Sequence, residues 1–128
     1  MNIEKVVFGF FVILSCALNF GFFQTELGSA DTHPPALALF IATVVNLITL
    51  VLKFGDRTHL GATHLATSLA ACLQLLAAVG VWVWHSQVLG QVLDAATMGT
   101  IVSLSGGALL ANLIAVILLI GETLRHAR

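Results

Sequence analysis

The stretch Val45-Asn46-Leu47-Ile48-Thr49-Leu50-Val51-Leu52-Lys53-Phe54-Gly55-Asp56-Arg57-Thr58-His59-Leu60 decides the fold. An apolar run stops at a lysine, a short polar turn follows, and a second run of apolar and small residues begins. Gly55 suits the position just past a helix end, and Asp56 or Thr58 suits the N-cap of the next helix. A turn this short joins two antiparallel helices.

The same alternation repeats in both directions along the chain. Expected helices cover residues 6–23, 35–52, 59–84 and 96–120. The chain is 128 residues long, 59% hydrophobic and 9% charged, with a mean hydropathy of +1.03. Soluble domains carry about 25% charged residues. Four spans of about 20 residues use roughly 80 residues, which leaves room for loops and none for a separate soluble domain. The expected fold class is an all-α membrane protein, one domain over 1–128, with four transmembrane helices in an antiparallel bundle.

All five basic residues fall on one side of that plan. Lys5 precedes the first run, Lys53 and Arg57 lie between the second and third, and Arg125 and Arg128 follow the fourth. The opposite loops hold Glu26, Asp31 and Asp94. Cytoplasmic loops are enriched in Lys and Arg, so both termini are expected in the cytoplasm, in a bacterial inner membrane. The apolar stretch after Lys5 is too long for a signal-peptide core and reads as a retained helix. Pro34 and Pro35 suit the start of the second helix. Trp82, Trp84 and the phenylalanines of the first helix suit lipid or interfacial contact. Val88, Leu89, Val92 and Leu93 suggest a short amphipathic turn.

Composition also excludes several classes. A net charge of −1, with the cations already explained by topology, gives nucleic acid no binding face. Cys16 and Cys72 sit alone inside apolar runs, away from any CxxC pair, and read as small buried residues. The histidines are His33, His59, His64, His85 and His126, and no two share the i, i+4 spacing of a helical metal pair. They read as interfacial, with His59 or His64 placed to sense cytoplasmic pH. No metal, cofactor or enzymatic activity is expected.

Each expected helix holds one carboxamide: Asn19, Asn46, Gln74 and Asn112. A carboxamide in hydrocarbon must find partners. At about 1.5 Å per residue, Asn46, Gln74 and Asn112 fall at compatible depths, and Asn19 falls nearer the other leaflet. On the second helix Ala42, Asn46, Thr49 and Lys53 share one face, with Thr43 alongside. The carboxamides can be interhelical glue or a polar path for a small inorganic ion. The path would comprise Thr43, Asn46, Thr49, Lys53, Gln74 and Asn112. Small residues at Gly99, Ser103, Gly107 and Ala111 suit close helix packing, either within one chain or across a homo-oligomer. A parallel series runs through Ala62, Ala66, Ala70, Gln74 and Ala78.

Acids and bases are missing from the depth of every span. Four-helix multidrug exporters carry a carboxylate in the first helix, and dual-topology fluoride channels carry a Gly-rich N-terminal motif. This chain has neither. The 45–58 stretch and Ile101-Val102-Ser103-Leu104-Ser105-Gly106-Gly107 resemble small bacterial inner-membrane proteins, a resemblance that implies no activity or site residue. The functional expectation is a homo-oligomeric ion channel or passive small-ion pore, cation-conducting because its outer loops are acidic. The alternative is a non-catalytic membrane interaction protein, a subunit or regulator of a larger membrane complex. The lipid bilayer is the expected surrounding in both.

Overall fold

The computed structural model describes residues 3–28, 36–54, 59–90 and 94–126. They form four helices: α1 (Ile3–Gly28), α2 (Ala36–Lys53), α3 (His59–Val83) and α4 (Ala95–His126). Among the described residues the fold is all-helical. Expectations about Asp31, His33, Pro34, Pro35, Gly55, Asp56, Arg57, Thr58, Val92, Leu93 and Arg128 lie outside the described residues, as do those about the side chains of Glu26, His59 and His126.

Among the described residues three spans are long and apolar enough to cross a membrane: Ile3–Gln24, Gly61–Val88 and Ala95–Arg125. The apolar part of α2, Leu37–Lys53, is shorter. Large apolar side chains cover the outside, among them Phe10, Phe20, Val51, Leu73, Leu110 and Ile117. In water such a surface would be an aggregation liability, whereas lipid tails solvate it.

The helices form a ring in which each packs on two neighbours: α1 on α2 and α4, and α3 on α2 and α4. The start of α1 lies beside the ends of α2 and α4 and the start of α3. Lys5 reaches Glu122 at 3.9 Å, Gly9 faces Leu119, and Phe8 meets both Lys53 and His64. This end is called basal here, and the opposite end distal.

Several helix ends differ from expectation. Helix α1 continues through residues read as a polar loop, and α4 runs past Ile120 to His126. Hydropathy loses the helix where it leaves the apolar layer, but backbone hydrogen bonding does not stop there. After Val83, α3 becomes a π-helical turn, Trp84–Val88, and reaches Leu89 and Gly90. Leu89 N–H closes that turn on Trp84 O at 2.9 Å. Gly90 reverses the chain with φ of 63°, a conformation that glycine adopts without steric cost. Asp94 then caps α4 through Thr97 N–H at 2.8 Å.

Two apolar clusters hold the ring together. The distal one joins Phe22, Leu39, Ala71, Leu75, Ala78, Trp82, Ile101 and Ala108. The basal one joins Phe8, Val12 and Ala115, with Val116 and Leu119 beside it. The interfacial assignment therefore fails for Phe8, Phe22 and Trp82, which are buried, and suits Phe10, Phe20 and Trp84, which are exposed. Aromatic residues two positions apart, about half a helical turn, face opposite ways. Cys72 is buried and Cys16 half-buried, both as free thiols.

Candidate functional site: a buried polar belt

Among the described residues ten polar side chains are buried: Ser15, Asn19, Thr43, Asn46, Thr49, His64, Ser68, Thr97, Ser105 and Asn112. Most lie between the two apolar clusters. On α1, Ser15 and Asn19 fall between Val12 and Phe22, and on α4 Asn112 falls between Ala108 and Ala115. The belt is thus bounded by apolar side chains toward each end.

Helix α2 turns its polar side inward, and those groups are satisfied close to home. Thr43 Oγ1 donates to Leu39 O at 2.8 Å. Asn46 Nδ2 donates to Ala42 O at 2.7 Å. Thr49 Oγ1 lies 2.9 Å from Val45 O and 2.9 Å from Ser15 Oγ. A threonine hydroxyl has one proton, so with Thr49 donating to its own backbone, Ser15 is the donor to Thr49. The bond ties α1 to α2. Lys53 is half-buried at the basal end, with Nζ 4.3 Å from the centre of the Phe8 ring, a cation–π distance.

The expectation that Asn19 stands apart from the other carboxamides is wrong. With its amide turned so that the oxygen meets donors and the nitrogen acceptors, Asn19 accepts from Asn112 Nδ2 at 3.2 Å and from Leu109 N–H at 3.0 Å. Its nitrogen donates to Ser105 Oγ at 2.8 Å and to Ser105 O at 3.3 Å. Depth counted along α1 from Lys5 set Asn19 too far from Asn112. Helix α4 stays helical beyond Glu122, which pairs with Lys5, and that register sets Asn112 beside Asn19.

Gln74 lies against Gly107. A Cβ on Gly107 would sit 2.5 Å from Gln74 Oε1. That oxygen is buried and has no hydrogen-bond donor among the described residues. Gly107 therefore faces α3 of its own chain, and Ala111 packs beside the distal cluster. Gly99 and Ser103 are exposed. The proposed oligomer face Gly99, Ser103, Gly107 and Ala111 does not hold as a single face. Each four-residue step overshoots one helical turn by about 40°, so three steps carry the series from the outside of the bundle to its interior. The α3 series drifts the same way, from exposed Ala62, Ala66 and Ala70 through half-buried Gln74 to buried Ala78.

His64 is fully buried, which corrects its interfacial assignment. It stands edge-on to Phe8, with ring centroids 5.1 Å apart and planes at 88°. His85 is half-buried near the distal turn. Sequence reading also missed Ser15 and Ser68, and took Ser105 only as one of the small residues of α4. Isolated serines in an apolar run carry little signal, because a serine fits lipid-facing and buried positions alike. Among the described residues no group of three or more His, Cys, Asp or Glu could hold a metal ion.

Outside the belt, Asp94 is held below the usual carboxylate range. The main cause is hydrogen bonding from the Thr97 side chain, then from the Thr97 backbone, with a further contribution from nearby His85.

No curated protein and no solved structure matches the chain. The profile of DUF6394, a family of unknown function, matches residues 33–123. That match takes in α2, α3 and most of α4, and the chain therefore belongs to the DUF6394 family.

Proposed function

We propose that this is a four-span membrane protein with both termini in the cytoplasm of a bacterial cell, acting as a non-catalytic interaction protein within the bilayer. It would serve as a subunit or regulator of a larger membrane complex, itself assembled from one or more copies. The observation that carries this reading is where the polar groups go. Hydroxyls and amides in the belt bond to each other or to their own helix, between two apolar clusters. In that arrangement they cohere the bundle, at about 0.6–2 kcal/mol per interhelical bond. The surfaces left for recognition are apolar and small, notably the outward side of α3 with Ala62, Ala66, Ala70, Ala77 and Gly80.

Orientation rests on the charge pattern of the sequence, and among the described residues Lys5, Lys53 and Arg125 all lie toward the basal end. Cysteines placed at Gly55 should label only from the cytoplasm, and cysteines at Ser29 and Gly90 only from outside, in a background without Cys16 and Cys72. External labelling at Gly55 would overturn the topology.

One observation favours the small-ion pore instead. Gln74 Oε1 is a buried acceptor with no donor among the described residues, next to a belt of neutral oxygens. Purified protein in liposomes separates the two readings. Silence toward Na⁺, K⁺ and H⁺ supports the interaction protein. Flux would install the pore, and its route would then run inside one bundle, because Thr43, Asn46 and Thr49 face the interior of their own chain. In that case Asn46→Leu and Thr49→Val should lower flux per folded bundle, and Lys53→Glu should raise cation flux if Lys53 guards the basal mouth.

A further inference from the structure

We draw no further inference here: the strongest candidate, the outward surface patch of α3 lined by Ala62, Ala66, Ala70, Ala77 and Gly80, belongs to the recognition surface already described, and nothing in the structure shows what covers it.

Discussion

The inward side of α2 and the outward side of α3 are both made of small and polar residues at near-helical spacing, yet they end in opposite environments. Ala42, Asn46 and Thr49 are all buried. Ala62, Ala66 and Ala70 are all exposed. The α2 series steps by four and then three residues, which averages close to the helical period and stays on one face. The α3 series steps by four each time and winds around the helix until Ala78 is buried. Small residues mark close approach in both cases. Only the phase of the spacing shows whether the approach is to a neighbour in the same chain or to something outside it.

The harshest test of this contrast is Gly107→Leu. The glycine notch is filled by the Gln74 amide of the same chain, so the larger side chain should destabilise the α3–α4 pair by about 3 kcal/mol, the upper part of the usual overpacking range. Unfolding in mixed micelles reads it directly. A monomer of unchanged stability that has lost only its assembly would move this face to a subunit interface.

Next comes the α1–α2 tie. A double-mutant cycle with Ser15→Ala and Thr49→Val should give a coupling of about 0.6 kcal/mol, typical of interhelical hydrogen bonds in lipid. Zero coupling would mean that each hydroxyl is served by its own backbone, leaving the inward side of α2 without a cohesive role.

On the other side of the comparison, Ala66→Leu should change the stability of the monomer by no more than about 0.5 kcal/mol. If the outward side of α3 meets a partner, the same substitution should abolish crosslinking from a cysteine at Ala70 in native membranes. A crosslink that survives unchanged would leave that face to lipid.

The smallest effect concerns Asp94, at the mouth of α4. Its carboxyl is depressed in the folded state, so its contribution is fully present above the unfolded value of about 3.9. That contribution is lost as pH falls through the lower folded value. Thermal stability should therefore be insensitive to this group from neutral pH down to about 4, then decline. Asp94→Ala should remove that part of the acid limb. An acid limb in Asp94→Ala identical to that of the wild type would take Asp94 out of it.

The number and order of helices were legible because each apolar run is bounded by charge or by Gly and Pro. Helix ends were less legible, since α1 and α4 remain hydrogen-bonded where hydropathy has already fallen. The inward set on α2 was readable from spacing. The meeting of Asn19 with Asn112 was not, because it depends on how far α4 slides along α1, and no local pattern encodes that offset. His64 was misplaced for a similar reason. Its burial comes from Phe8, 56 positions away in sequence, and only the folded ring brings them together.

The helices of this bundle are also unequal in height. The apolar part of α2, Leu37–Lys53, is about 25 Å long, and the apolar part of α4, Ala95–Arg125, is about 46 Å. Lipid meeting such a wall cannot match both with one thickness. Thinning beside α2 and tilting of α4 would relieve the mismatch at a cost of fractions of a kcal/mol per Å. A bilayer on the thin side of about 30 Å would fit the α2 flank best, and chain-length variation in the host lipid becomes a variable that the bundle feels.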